Sequence, residues 1–354
     1  MAFDLTAPID ITAVNEAKIK YGNLLKTVLM MGASSVLAHC KAMPGITSAL
    51  RVGTVDGGTV SKKYDGKFEG KGNVGNIDPR TLYVYTIVAE MMDEPERYRR
   101  TYITDVPGEM REKHPFELWL LQRGIEIASN DLYKALFIAE RSEDKEDTEI
   151  TDSFNGWGTI IEADKIAGNI TKEKGNLFST GAFTVDDCGK QLLEMWRHMP
   201  ETFRTMKSNV KLFISDDVAN LYDDWREKRG HIILGQTEEV KTEYLIGSGR
   251  RCEIVRMGNL PAGSHMAILT TKDNMLYGFD KESDMKNMKP FISGNPYMFT
   301  AAMKYVFGCE FNSINKAEFC VNDQGLVPST NQEPEGRIYN NTQEPANPSD
   351  DQGS

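Results

Sequence analysis

The spacing of apolar residues predicts one long amphipathic helix near the middle of the chain. Over residues 116–141 the apolar side chains recur at helical intervals and form a single stripe. The stripe consists of Leu121, Ile125, Ala128, Leu132, Leu136 and Ala139. Pro115 suits the first turn of a helix, and the charged run at 140–147 is typical of a solvated loop that ends one.

Other segments with helical spacing are shorter. They cover residues 13–40, 154–169, 184–199 and 216–229. The second of them begins with a turn at Asn155-Gly156, and a short helix follows the turn. For the last two, Thr184 and Ser215 are the expected N-caps, and each is followed by a pair of aspartates at the positive end of the helix dipole.

Alternating and β-branched runs predict strands in much of the rest of the chain. The predicted strands are 81–89, 210–214, 241–246, 252–257, 265–270, 274–279, 297–307 and 316–321. Residues 4–12 have an extended pattern, and the polar residues 323–354 predict a disordered acidic tail. Helices and strands in this order predict an α+β fold.

A glycine-rich and lysine-rich segment separates the first helix from the strand at 81–89. Seven glycines lie between Gly53 and Gly75, and Lys62, Lys63, Lys67 and Lys71 lie among them. So many glycines disfavour a helix, and few apolar side chains remain to form a core. A loop of this length inside a compact domain is usually functional, so we expect a long hairpin that projects onto another surface.

The composition excludes some classes of function and leaves others. The chain has 354 residues and a net charge of -11, which argues against a surface dedicated to coating nucleic acid. A container around nucleic acid is not excluded. No apolar run reaches the length of a membrane helix, and the first residues lack the pattern of a signal peptide. The five cysteines are scattered, so we expect buried, reduced thiols.

A search for catalytic motifs gives no site. Gly247-Ser248-Gly249 lacks the rest of a dinucleotide-binding pattern and is interpreted as a turn. The aspartate pairs at 186–187 and 216–217 are explained by helix N-termini, and the five histidines are dispersed. The sequence therefore predicts no catalytic residue, no bound metal and no cofactor, and we expect a protein that is not an enzyme.

The order of these elements resembles the major capsid proteins of tailed bacteriophages, whose fold is shared with encapsulin nanocompartments. The resemblance covers residues 1–322. It is carried by the spine helix before Phe154-Asn155-Gly156, by the strand-to-helix step at Lys211–Asp217, and by a terminal hairpin over Tyr297–Val321 with a tight turn at Asn312–Asn315. It implies an HK97-like capsid fold with an N-terminal arm, an extended loop, a peripheral domain with a spine helix, and an axial domain.

The resemblance also implies how the chain is divided. Residues 1–50 would be the N-terminal arm and helix, and 51–104 the extended loop. The peripheral domain would comprise 105–170 and 285–322, the axial domain 171–284, and the tail 323–354. The implied function is assembly into hexamers and pentamers of an icosahedral head that encloses double-stranded DNA, in a virion built in the cytoplasm of the host bacterium.

The family implies that the extended loop lies on a neighbouring subunit. The residues expected to make these contacts are Lys62, Lys63, Tyr64, Lys67, Phe68, Lys71, Arg97, Arg99 and Arg100. The implied partners are further copies of the chain, a separate scaffolding protein, a portal protein, decoration proteins, and packaged DNA held without sequence-specific contact. Some members cross-link a loop lysine to a neighbour's asparagine, for which the four lysines would be candidates.

Two alternatives remain open at this stage. The same fold would suit the shell protein of an encapsulin-like compartment, which differs by holding an enzyme cargo. A cytosolic α+β enzyme whose site is assembled from scattered residues would also fit the composition, and it predicts a small oligomer with a deep pocket.

Overall fold

The computed structural model describes residues 36–56, 61, 63–64, 76–106, 116–144, 149–228, 244–260, 264–281, 289–292 and 298–322. The first elements are strands β1 (Lys41–Pro44), β2 (Ala49–Val52), β3 (Val55–Asp56), β4 (Asn76–Ile77), β5 (Arg80–Tyr83) and β6 (Tyr85–Asp93). A 3-10 turn at Pro95–Tyr98 leads into helix α1 (Arg99–Asp105), and helices α2 (Phe116–Ile138) and α3 (Trp157–Ile166) follow. Next come β7 (Leu177–Phe178), α4 (Cys188–His198), α5 (Glu201–Met206), β8 (Val210–Ser215) and α6 (Asp216–Lys228). The last strands are β9 (Cys252–Met257), β10 (Ala267–Thr271), β11 (Met275–Phe279), β12 (Lys289–Ile292), β13 (Phe299–Phe311) and β14 (Phe319–Asn322).

The first of two larger sheets is organised around β13. Its strand order is β1-β11-β13-β12, and β6 pairs with β13 as well. β13 has 13 residues, and its apolar side chains at every second position face the main core. These are Phe299, Ala301, Met303, Tyr305, Phe307, Cys309 and Phe311. The strand is long enough to pair with β6 and with β11 and β12 along its length.

The second sheet has the order β7-β14-β10-β8-β9 and is covered on both faces. All six residues of β8 are buried, which is the pattern expected of a central strand with two apolar faces. Phe213 faces the main core, which also holds α2 and α3. Leu212 and Ile214 face a second core formed with α4 and α6.

The chain crosses between the two sheets in both directions. β10 lies in the second sheet and the next strand, β11, lies in the first. β13 lies in the first sheet and β14 lies in the second. The two sheets share one main core, and the chain passes between them three times, since β6 lies in the first sheet and β7 lies in the second.

The structure corrects the predicted terminal hairpin over Tyr297–Val321. β13 and β14 belong to different sheets and do not pair with each other. Between them the chain turns a corner held by Asn274, whose Nδ2 donates to Ser313 O at 2.8 Å and whose Oδ1 accepts from Ser313 N at 2.7 Å. The rings of Phe311 and Phe319 meet across the corner at 5.0 Å. Alternation predicted both strands, but it carries no information on their partners.

Most predicted helices are present with different ends. The spine helix α2 has 23 residues, or about 34 Å at the usual rise, and it ends three residues earlier than expected. Ser215 precedes α6 as predicted, and its Oγ accepts from Val218 N at 3.4 Å. The predicted N-cap Thr184 is wrong, because α4 begins only at Cys188 after a turn in which Cys188 N donates to Thr184 O at 2.8 Å.

Several short elements escaped the sequence pattern. The predictions for the extended segment at 4–12 and for the tail at 323–354 lie outside the described residues, and the first predicted helix lies mostly outside them. β1, β2, β7, β12 and α5 were not predicted; each has six residues or fewer, which is too short for a clear period. Of the first predicted helix only residues 36–40 are described, and they form its final turn and a bend. The strand predicted at 241–246 is reduced, in its described part, to an isolated bridge at Tyr244.

The cysteine prediction is confirmed. Cys40, Cys188, Cys252, Cys309 and Cys320 are all buried, and none of them forms a disulfide. Gly247-Ser248-Gly249 forms a turn, as predicted, between Leu245 and Cys252, whose backbones are joined by a hydrogen bond of 2.9 Å.

Candidate inter-subunit surface

A two-limbed hairpin leaves the body at the position of the glycine-rich segment. β2 pairs antiparallel with β5, so that Ala49 lies opposite Tyr83 and Val52 opposite Arg80. Further out, β3 pairs with β4 over Val55 and Ile77. We call β2 and β5 the hairpin root. The return limb continues through Val84 into β6, which links the hairpin directly to the first sheet.

Only part of the predicted lysine and aromatic set lies in the described residues. Lys63 is exposed, and Tyr64 has 89% of its surface accessible. A tyrosine left so open is unusual, because aromatic side chains dominate cores and interfaces. Lys62, Lys67, Phe68 and Lys71 lie outside the described residues.

The three predicted arginines follow β6 and have different environments. Arg97 in the 3-10 turn has 70% of its side chain exposed and lies 3.9 Å from Asp93. The side chain of Arg99 is only 18% exposed; its Nε donates to Glu96 at 2.9 Å and its guanidinium lies 5.1 Å from the centre of the Phe116 ring. Arg100 is exposed on α1. Arg97 and Arg100 are therefore open to a partner, whereas Arg99 fastens α1 to the start of α2.

A surface that the sequence analysis missed lies beside these arginines. The side chains of β6 alternate, and those of Ile87, Ala89 and Met91 turn toward the main core. On the opposite face Val88 is 50% exposed and Met92 is 64% exposed, and Tyr83 in β5 is 55% exposed. We call these three residues, which lie on two different strands, the exposed apolar residues. Within the described part of the chain β6 has a strand partner on one edge only, which is β13. The alternation at 81–93 was the available signal, but it does not say which face is covered.

A buried ion triad joins the hairpin root to the body. Nη2 of Arg80 lies 2.7 Å from Asp164 Oδ2 in α3 and 2.8 Å from Glu310 Oε1 in β13. Nε of Arg80 donates to the same Glu310 oxygen at 3.1 Å. The side chains of Arg80, Asp164 and Glu310 are 14%, 11% and 13% exposed.

The electrostatics of the triad follow from its burial. Burial lowers the pKa of Arg80, but the charges of Glu310 and Asp164 outweigh it and the net direction is upward. Burial raises the pKa of Glu310, against the opposing effect of the Arg80 guanidinium. The guanidinium therefore stays charged, and it compensates two carboxylates that are largely removed from water.

Apolar packing and a close approach of two backbones also hold the hairpin root against the body. Ile46, Leu82, Val84 and Leu276 form a small buried cluster of their own. The backbone N–H of Gly53 donates to Asn312 Oδ1 at 3.0 Å. At Gly308 in β13 an added Cβ would lie 2.0 Å from the carbonyl oxygen of Tyr83. The root is thus held by packing, by hydrogen bonds and by charge.

The described residues contain no group of three or more histidine, cysteine, aspartate or glutamate side chains that is placed to hold a metal ion. In that part of the chain no helix is long and apolar enough to cross a membrane. The described part of the hairpin and of β6 presents exposed apolar, aromatic and cationic side chains on a firmly attached root.

Comparison with solved structures identifies the fold. The chain is similar to one in the satellite phage P4 procapsid that includes the size determination (Sid) protein, with a TM-score of 0.54 and 12% identity; the match covers 85% of this chain and 98% of that chain. It is also similar to a chain in the capsid of the native GTA particle, with a TM-score of 0.52 and 12% identity, over 82% of this chain and 96% of that chain. No protein-family model and no curated protein sequence matches the chain.

These matches define the class of structure. The chain has the mixed helix-and-sheet fold of phage capsid proteins. The resemblance drawn from the sequence is confirmed at the level of the fold, and it extends over nearly the full length of both neighbours.

Proposed function

We propose that this chain is the major capsid protein of a tailed bacteriophage, which assembles as hexamers and pentamers into an icosahedral head around double-stranded DNA. The observation that carries the proposal is the fold shared with the P4 procapsid chain over 85% of this chain. The paired hairpin and the exposed side chains near it support the proposal, because a shell protein needs surfaces for its own copies. A structural role of this kind requires no catalytic group.

We divide the chain as the HK97-like fold implies. Residues 1–50 form the N-terminal arm and helix, 51–104 the extended loop, 105–170 with 285–322 the peripheral domain, 171–284 the axial domain, and 323–354 an acidic tail. Two strand pairings join the axial domain to the peripheral domain in this scheme. β11 pairs with β13, and β10 pairs with β14. Each domain in this scheme contributes a strand to the other's sheet.

The extended loop contacts a neighbouring subunit in this proposal. Lys62, Lys63, Lys67 and Lys71 supply cations that meet the acidic surface of a neighbour, since the net charge of each copy is -11. Tyr64 and Phe68 supply apolar contact area, and Arg97 and Arg100 extend the cationic surface onto the body. A neighbour's hairpin is a suitable cover for the exposed apolar residues, and the edge of β6 that has no strand partner among the described residues can pair with one of its strands.

The partners follow from the same proposal. A scaffolding protein sets the size of the shell, a portal protein occupies one vertex, and decoration proteins bind the outside. The packaged DNA is enclosed without sequence-specific contact, which suits an acidic subunit. The protein is then a component of the virion and assembles in the host bacterial cytoplasm.

The first test is sedimentation velocity with negative-stain imaging of the purified chain, alone and co-expressed with a candidate scaffolding protein. We expect rings of five and six subunits, or closed particles in the megadalton range when the scaffold is present. Many weak contacts between copies then combine into a stable assembly. A single sharp monomer or dimer boundary under every condition would contradict the proposal.

A further inference from the structure

We propose that Arg80 is a positioning residue, which fixes the angle at which the hairpin leaves the body and thereby the curvature of the assembled shell. This inference rests on the proposed function, because the angle matters only if the hairpin reaches a neighbour. Arg80 lies in β5, and its two carboxylate partners lie in α3 and β13, which are separate parts of the body.

Both carboxylates also accept hydrogen bonds from groups other than Arg80. Oδ1 of Asp164 accepts from Asn169 Nδ2 at 3.0 Å, which leaves Oδ2 for the guanidinium. Oε1 of Glu310 accepts the backbone N–H of Phe311 at 2.9 Å. The two acceptors therefore present a rigid receptor to the planar fork of an arginine.

The chemistry of the fork explains why arginine is required. Nη2 contacts both carboxylates, and Nε makes a further hydrogen bond to Glu310. A lysine ammonium keeps the charge but cannot reproduce this planar arrangement. A buried ion pair adds little net stability compared with apolar packing, yet it disfavours arrangements that leave a charge unpaired. The triad is accordingly suited to selecting one orientation of the root.

Other contacts hold the root as well, and Arg80 adds to them a charged link to α3 and β13. The apolar cluster of Ile46, Leu82, Val84 and Leu276 packs the root against β11, and Ile46 N donates to Phe279 O at 3.1 Å just before β2. The hydrogen bond from Gly53 N to Asn312 fastens the outgoing limb. Arg80 fastens the return limb at the opposite register position, since Val52 and Arg80 face each other across the pair.

The test uses amide hydrogen exchange of the full-length chain before assembly, followed by particle imaging. In Arg80→Met we expect exchange of the β2 and β5 amides to rise about tenfold or more, because two buried carboxylates lose their partner and local opening becomes easier. The amides of β8 should keep the exchange rates of the parent. Arg80→Lys should restore part of the protection.

Arg51→Met is the matched control, because Arg51 is an exposed arginine in β2 of the same root. It should leave both the exchange rates and the particles unchanged. Arg80→Met should give particles of mixed diameter or incomplete curvature from an undiminished amount of folded protein. If Arg80→Met proves insoluble, Glu310→Gln carries the same expectations, since it removes one charge and keeps the side-chain volume.

Each outcome supports or overturns the role of Arg80 in positioning the hairpin. Unchanged exchange in the root, or an equal rise in β8, would show that Arg80 has no special hold on the hairpin. Faster exchange with particles of parental diameter would overturn the role in curvature. If the parent chain forms no particles at all, the proposed function fails, and the exchange measurement still decides whether Arg80 holds the root.

Discussion

Gly308 is the point at which β13 passes closest to the return limb of the hairpin. A Cβ there would lie 2.0 Å from the carbonyl oxygen of Tyr83 and 3.0 Å from Cα of Val84. Both contacts are with backbone, which cannot rotate away as a side chain does. The residue is one of thirty glycines, and nothing in the local sequence separates it from those in open turns.

Gly308→Ala should therefore destabilise the fold. We expect the free energy of unfolding to fall by about 2 kcal/mol, because the methyl group forces two packed backbones apart. Urea unfolding followed by tryptophan fluorescence measures the change. Gly181→Ala is the control, since an added Cβ at Gly181 meets nothing within 4 Å. Equal midpoints for the two variants would contradict the close approach.

At the scale of single residues, the five cysteines behave as core residues. All five are buried, and none of them forms a disulfide. Burial raises the pKa of Cys188 to about 12 and also raises the pKa of Cys40, Cys252 and Cys309. A thiol reacts through its thiolate, so the raised pKa and the lack of access both suppress reaction.

We expect no rapid modification of the folded chain by a disulfide reagent at pH 8, and reaction of all five thiols after unfolding in denaturant. Spectrophotometric counting of the released thiolate distinguishes the two states. One thiol that reacts at the rate of a free cysteine in the native protein would show that its burial is wrong.

At the scale of elements, the Phe154-Asn155-Gly156 turn that precedes α3 packs against the end of the spine helix α2. Gly156 N donates to the carbonyl oxygen of Ala139 at 2.8 Å, and Thr159 Oγ1 donates to the same oxygen at 2.7 Å. A Cβ at Gly156 would lie 2.7 Å from Leu136 O. The turn and the short helix are therefore packed directly on the end of α2, and they satisfy carbonyl groups that every helix leaves open.

Thr159→Val removes this hydroxyl donor while it keeps the shape of the side chain. We expect a loss of about 1 kcal/mol of unfolding free energy, since the Ala139 carbonyl keeps its bond from Gly156. Thr205→Val is the control. In the parent chain Thr205 Oγ1 donates to Glu201 O at the same 2.7 Å, but Thr205 is exposed on α5. Comparable losses in chemical denaturation for both variants would count against a specific role of the junction.

At the scale of the whole molecule, the chain combines the first sheet, which is built on β13, the doubly covered second sheet, and a hairpin whose root is fastened to both α3 and β13. Among the described residues, no member of the three apolar clusters lies between β3 and β4. Asp56 and Asn76 face each other at the outer end of the described pairing, so a two-residue turn can join them.

Replacing residues 57–75 by an Asn-Gly turn should spare the fold and abolish assembly. The body should keep its unfolding midpoint, because all buried contacts lie outside the replaced segment in the described structure. Sedimentation velocity should show subunits that no longer close into particles, while the parent chain does. Normal particles from this variant would remove the hairpin from the proposed assembly contacts.

The sequence by itself determined the elements with a long or distinctive pattern. The spine helix, β8 with α6, and the strands at 252–257 and 274–279 follow from apolar spacing and capping residues, because those signals are local. The buried thiols and the hairpin position also follow from composition. Short elements such as β1 and α5 escaped, since six residues or fewer show no clear period.

Only the tertiary structure decided which strands pair and which charges meet. Alternation in β13 and β14 suits a hairpin as well as two sheets, and the choice depends on how the corner at Asn274 packs. Arg80 lies 84 positions from Asp164 and 230 positions from Glu310, so no local pattern connects them. A buried charge is tolerated only where folding brings its partners together, and that requirement belongs to the fold as a whole.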